Sequence, residues 1–294
     1  MSSVQKEFSN FKVHTQYSIC EGAIKIDDLA LYCKNNKLKT IGLCDSFNLC
    51  GALEFAEKIS KSGSQPIIGT QINFLFDGIL GKLPLFAISS NGYKNLIKLS
   101  SKSYLESDEK SDPYCKLSEL KNFSDDLILL TGNHHDFFGK LFKSNKLKQI
   151  ETCINDLKDI FQDRFYAEIQ RHGEDGEKRY EDHLIKLSYK LEIPLIASQE
   201  VYYLNEEMYE AHDALICIGN KDFIDNSNRV KYNKQHFIKK IEDLEKLFVD
   251  IPEALENNYN FPIRFNFKPK KSLPILPSIK TNTNTKLSLS VIPY

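Results

Sequence analysis

The chain has 294 residues, 41% of them hydrophobic and 27% charged, with a formal net charge of −1 at pH 7. That length can bury a substantial core in one large domain or two smaller ones, and the charge balance excludes a global basic field for non-specific nucleic-acid binding. No apolar run approaches the roughly 18 residues of a membrane span, and MSSVQKEFSN does not read as a signal peptide.

In chain order, FKVH predicts a strand and IDDLALYCKNNK a helix capped by Asp27 or a neighbour. IGLCD is a buried strand of continuous apolar type, followed by helix ALEFAEKISKSG and strand PIIGTQINFLF. LPLFAIS precedes helix GYKNLIKLSSKSY, and LILLTG precedes the helical patterns DFFGKLF and NKLKQIETCINDLKDIF. FYAEIQR reads as a strand, EKRYEDHLIKLSYKLE as an amphipathic helix and IPLIAS as a short apolar strand. Apolar runs separated by helices are the signature of βαβ units on a parallel sheet, and this many favour an α/β barrel over an open sheet. From about residue 205 the pattern turns to helix and loop: EEMYEAHDALICIGN, KKIEDLEKLFVD and IPEALENN. After Phe261 no further element is expected, and the Lys-, Pro-, Thr- and Asn-rich remainder reads as an extended linker or tail.

The seven cysteines, Cys20, Cys33, Cys44, Cys50, Cys115, Cys153 and Cys217, form no CxxC pair. Apolar surroundings such as IGLC and ALICIG predict reduced, buried thiols in a cytoplasmic protein and argue against a cysteine zinc site. Gly-rich phosphate loops are absent.

Parallel α/β folds carry chemistry at the C-terminal ends of their strands. The residues there are Lys12, His14 and Glu21; Asp45 and Ser46; Gln71; Asn133; and Glu200 with Tyr202, and Lys82 stands just before the fourth strand. A hydrolytic metal centre needs several His, Asp or Glu side chains converging on one ion. Here Lys12 and Lys82 would repel a cation, so the set reads as a buried ion-pair network. In it Lys12 is expected to balance Glu21 or Glu200, and Asp45 to pair with a lysine or cap the turn at Ser46-Phe47-Asn48. His134 and His135 are expected to diverge in a solvated loop, and His172 and His212 to cap or bridge local structure. Lys268, Lys270 and Lys271 read as a solvated linker.

KVHTQYSICEGAIKIDDL, IGLCDSFNLCGALEF, PIIGTQINF, LFAISSNGYKNLIKLSS, FYAEIQRHG, IPLIASQEVYYL, AHDALICIG and LFVDIPEALENN resemble, in this order, the PHP (polymerase and histidinol phosphatase) domain of bacterial DNA polymerase III α subunits. The resemblance implies a distorted seven-stranded β/α barrel followed by a helical and loop segment and an extended tail. It places the barrel with its helical extension at 1–265 and a linker toward the polymerase region at 266–294. Active members hold up to three metal ions, and the ligand places fall on Lys12 and His14, Glu21, Ser46, Gln71, Lys82, Asn133, and Glu200 with Tyr202. Only His14 keeps its ligand type, so these residues and Asp45 are expected to form a vestigial metal pocket with no catalytic residue and no cofactor.

The implied identity is the N-terminal part of a replicative polymerase subunit, cytoplasmic and with no membrane contact. In the whole enzyme, DNA polymerisation would use magnesium held by palm aspartates that this chain does not contain, and DNA would be met mainly by those other regions. The barrel is expected to be an inactive scaffold that supports the polymerase region and docks the proofreading exonuclease and other replicase subunits. The alternatives are an active metal-dependent phosphoesterase (3′–5′ exonuclease or pyrophosphatase) and a free-standing enzyme similar to histidinol phosphatase.

Overall fold

A computed structural model describes residues 6–107 and 112–273, with the backbone of 278–280 and 286–288. The apolar runs form β1 (Asn10–Val13), β2 (Thr40–Ser46), β3 (Gln65–Phe76), β4 (Ile79–Ala87), β5 (Tyr114–Cys115), β6 (Leu127–Leu130), β7 (Phe165–Ile169), β8 (Leu195–Ala197) and β9 (Glu200–Val201). The helices are α1 (Ile26–Asn36), α2 (Ala52–Ser62), α3 (Ser90–Leu105), α4 (Leu117–Asn122), α5 (Phe137–Lys143), α6 (Leu147–Phe161), α7 (Glu177–Leu191), α8 (Tyr209–Asn220), α9 (Ile241–Leu247) and α10 (Pro252–Asn260).

The strands pair in the order β8-β7-β6-β4-β3-β2-β1-β9, with β5 added to β3. The two ends of this path, β8 and β9, are separated in the chain by Ser198 and Gln199 alone. The sheet therefore curls until its ends meet, and β8 with β9 act as one broken strand in a seven-stranded barrel. The distortion is β4, which runs antiparallel to both β3 and β6 where a parallel strand was expected. A two-residue turn at Asp77 (φ 49°) and Gly78 (φ 73°) joins β3 to β4. Both positive φ values suit the right-handed twist of a tight hairpin. Because β4 is reversed, Lys82 near its start lies at the same barrel end as the C-termini of the parallel strands.

Side chains two apart share one face of a strand. On the interior face this alternation puts apolar groups at one end and polar groups at the other. Phe11, Ile67, Phe86, Ile128, Tyr166 and Ile196 fill the closed end. Phe261, just past α10, plugs it, with its ring 4.4 Å from that of Phe11 and edge-on to Phe86. Ser46, Gln71, Lys82, Glu168 and Glu200 occupy the other end. The register of β1 on β2 slips between Asn10 and Val13. The slip lets Phe11 enter the apolar end while its neighbour Lys12 enters the polar one. Gly42 on β2 makes room, since a Cβ there would come 2.3 Å from the Phe11 carbonyl oxygen.

Outside the barrel, α1 and α2 cover one flank through Leu29, Cys33, Phe55 and Ile59. Helices α3 to α7, α9 and α10 pack on a larger cluster that includes Leu96, Phe138, Ile154, Leu157 and Leu184. Buried Asn258 of α10 accepts from the Ser9 amide and donates to the carbonyls of Ser9 and Ala197, tying the helical extension to β1 and β8.

Three further sequence expectations change. The residue before α1 is Lys25, which makes no side-chain cap bond, and Asp27 pairs with Lys58 instead. β5 and α4 were not expected. The stretch after Phe261 contains a short antiparallel ladder, Ser278–Lys280 with Lys286–Ser288, and the rest of the tail beyond residue 273 lies outside the described residues. All seven cysteines are free thiols, and burial pushes Cys33 and Cys115 up to about 12. Among the described residues no helix is long and apolar enough to cross a membrane.

Candidate functional site

The polar end of the barrel is organised around Lys12, whose side chain is 0% exposed. Its Nζ lies 3.3 Å from Asp136 Oδ2, 3.4 Å from Glu200 Oε1 and 3.6 Å from Glu168 Oε2. Burial alone would lower the Lys12 pKa, but Glu168, Glu200 and Asp136 together raise it above its ordinary value, so the ammonium stays charged. The expected balance with Glu200 is present and is shared with Glu168 and Asp136. The expected balance with Glu21 is not: Glu21 Oε1 takes Lys82 Nζ at 2.6 Å, and Glu21 Oε2 accepts from Ser46 Oγ at 2.5 Å.

Glu200 is the hub. Its Oε1 lies 2.9 Å from His14 Nε2 and accepts from Gln71 Nε2 at 2.5 Å, and its Oε2 accepts from the Asn133 amide. Burial opposes its charge, yet Lys12 and His14 hold its carboxyl well below the usual range. Asp136 and Glu168 are raised, because burial outweighs what the shared Lys12 returns to each. His14 stacks on Tyr202 with centroids 4.5 Å apart, and its Nδ1 is 3.2 Å from Ser18 Oγ.

Asp45 pairs with no lysine and caps no turn at Ser46. It accepts from the Thr15 amide (2.6 Å), Thr15 Oγ1 (2.8 Å) and Ser18 Oγ (2.7 Å), fixing the turn after β1. Charge already met by three local donors needs no ammonium. The Ser46 amide donates to Ser18 Oγ, linking this turn to the Lys82–Glu21 pair. All ten strand-end residues thus join one connected network, through contacts that differ in part from those expected.

This donor set does not fit a divalent ion. Gln71 and Asn133 turn amide N–H groups toward Glu200, and Lys12 Nζ sits among the three carboxylates where a cation would be held. An ion there would meet the Lys12 charge at close range in a low-dielectric interior. Asp136, Glu168, Thr15 and Ser18 were missed at the sequence level. The glutamate within the otherwise apolar FYAEI was the legible signal, since a buried charge on a strand requires a partner.

A second cluster lies beside the first, where His134 and His135 converge instead of diverging. His134 is 3% exposed, and the two ring centroids are 3.9 Å apart. A Cβ at Gly139 of α5 would meet the His134 carbonyl at 2.2 Å, so the glycine lets α5 pack against this turn and draw it inward. His172 and His212 do bridge, but between segments distant in the chain and not locally as expected: their Nε2 atoms lie 3.2 Å from the Glu200 carbonyl and 2.8 Å from the Glu21 carbonyl. Lys268 donates to Ser60 Oγ and Lys271 pairs with Glu57, while both remain exposed.

The chain matches the PHP domain family over residues 10–172. It is 36% identical over 284 residues to the DNA polymerase III subunit alpha of Caulobacter vibrioides, covering 93% of this chain and 25% of that protein. It is 33% identical to the subunit of the same name from Rickettsia bellii, covering 97% of this chain and 24% of the relative. The chain thus spans about a quarter of the length of these curated relatives. Among solved structures, an amidohydrolase from Chromobacterium violaceum with bound sulfate and no metal aligns at a TM-score of 0.42 and 9% identity, over 71% of this chain and 96% of the other.

Proposed function

The chain belongs to the PHP domain family, and on that premise we propose that its barrel is a catalytically silent scaffold within a DNA polymerase III α subunit. In this reading residues 1–265 form the barrel with its helical extension, and 266–294 lead toward the polymerase region. The scaffold supports that region and docks the separate proofreading exonuclease and other replicase subunits in the cytoplasm. DNA synthesis and its magnesium ions belong to the parts of the relatives this chain does not span. The barrel pocket itself takes no metal cofactor.

The observation that carries the reading is the Lys12 ammonium among Asp136, Glu168 and Glu200. A fixed positive charge there is shared among the three carboxylates but offers no Lewis acid and no activated water. The vestigial-pocket assignment of Lys12, His14, Glu21, Asp45, Ser46, Gln71, Lys82, Asn133, Glu200 and Tyr202 belongs to the same proposal.

The test is turnover by the purified chain supplied with Mn2+ or Zn2+, on p-nitrophenyl phosphate and on single-stranded DNA 3′ ends. No metal-dependent hydrolysis is expected. Hydrolysis that Glu200→Gln abolishes would contradict a silent barrel. Co-elution with the separate exonuclease subunit is the expected result for the docking role, and its absence at micromolar concentrations would remove that role.

A further inference from the structure

We propose that His134, His135 and Glu174 form a surface site for a divalent first-row transition metal, of which zinc is the natural occupant, separate from the Lys12 pocket. Among the described residues, these three offer ligand atoms that all lie within 4.8 Å of one another. Glu174 Oε2 is 2.9 Å from His135 Nε2 and 3.3 Å from His134 Nε2. Two imidazoles and one carboxylate with an open fourth position make a zinc-type donor set, whereas magnesium and calcium favour oxygen alone.

Two observations point to a ligand. His134 is 3% exposed, yet its Nε2 is aimed at Glu174 without making a hydrogen bond. A buried ring nitrogen without a hydrogen-bond partner calls for an explanation, and here it faces two other ligand atoms with which it could share an ion. On the other side, His236 Nδ1 lies 3.1 Å from the Glu200 carbonyl oxygen, which can only accept. The ring is held between this carbonyl and the carboxylate, with its Nε2 3.1 Å from Glu174 Oε1. Carboxylates that ligate a metal are held by outer neighbours of this kind. The His135 side chain is 56% exposed, which gives an ion its way in.

Lys143 Nζ stands 3.0 Å from His135 Nδ1 and competes, because a metal on Nε2 requires a proton on Nδ1. Filling the site displaces this contact, so Lys143→Met is expected to tighten binding.

The experiment is calorimetric titration of the metal-stripped full chain with ZnCl2, followed by Co2+ loading to read the visible d–d band of a histidine-ligated ion. One Zn2+ per chain is expected. His134→Gln, His135→Ala and Glu174→Gln should each weaken it at least about tenfold, since supporting residues alone are worth roughly 10–100-fold. Glu21→Gln, in the barrel pocket, should leave it unchanged. His135→Ala alters a half-exposed side chain, so it reports on binding even where the buried variants fold poorly. Absence of saturable uptake, uptake that His135→Ala leaves unchanged, or uptake that Glu21→Gln abolishes would overturn the proposal. Such a failure would leave the silent-barrel reading standing, because that reading is judged by phosphoester turnover.

Discussion

The two ends of the barrel interior are built from the same strands and obey opposite rules. At the closed end Phe11, Phe86, Phe261 and their neighbours meet through non-directional contacts. There total volume matters more than the identity of any one side chain. At the open end each side chain has named partners, and deleting one leaves a buried charge facing others of its own sign. Stability at the closed end should therefore degrade gradually, and at the open end abruptly.

The largest effect expected comes from acid. His172 and His212 are 4% and 1% exposed, and burial above all lowers each from 6.5 to about 4. Between these values the unfolded chain binds protons that the folded chain refuses, so stability is full above pH 6.5 and falls as the pH drops toward 4. The loss is on the order of 2–3 kcal/mol for each ring. Glu200, whose folded pKa is depressed, adds a loss below its ordinary carboxyl range, while Asp136 and Glu168, which are raised, partly offset it. Urea midpoints measured at pH 7, 6 and 5 should fall steadily, and a flat profile would mean these rings reach water.

Next comes Lys12→Met, which keeps the stem and removes the charge. Breaking a buried ion cluster in this way should cost roughly 3–5 kcal/mol, against the ~5–15 kcal/mol of a whole domain. At the closed end Phe86→Leu, a comparable change in shape, should cost under ~1.5 kcal/mol. Chemical denaturation of both variants compares the two ends directly, and equal costs would erase the contrast. Smallest is Lys82→Met at the rim, where Lys82 and Glu21 are 18% and 24% exposed. About 1 kcal/mol or less is expected, and the difference from the parent protein should shrink in high salt.

Much of the architecture was legible because long apolar runs and helical periodicity agree with each other along the chain. The direction of β4 was not read, although Asp77-Gly78 between NFLF and ILGKLPLF is a strong two-residue hairpin signal. Splitting those runs hid it and obscured how Lys82 reaches the open end. The ten strand-end residues were legible as a group, because strand ends converge in any barrel. Their pairings were not, since Lys12 could reach several carboxylates and a one-residue slip in β1 decides which. Asp136 was hidden inside a segment read as helix. The meeting of His134 and His135 with Glu174 depends on a close backbone approach at Gly139, which leaves no periodic trace.

The claim that a lysine charge stands in for a bound cation is tested most directly by a double-mutant cycle on Lys12 and Glu168. Glu168 Oε2 has no hydrogen-bond partner, and its nearest described cation is Lys12, 3.6 Å away. If the account holds, adding Glu168→Gln to Lys12→Met restores a large part of the lost stability, with a coupling energy of roughly 1–3 kcal/mol in urea denaturation. Additivity within ~0.5 kcal/mol, or a Lys12→Met cost below that figure, would show that the ammonium balances nothing and would contradict the account.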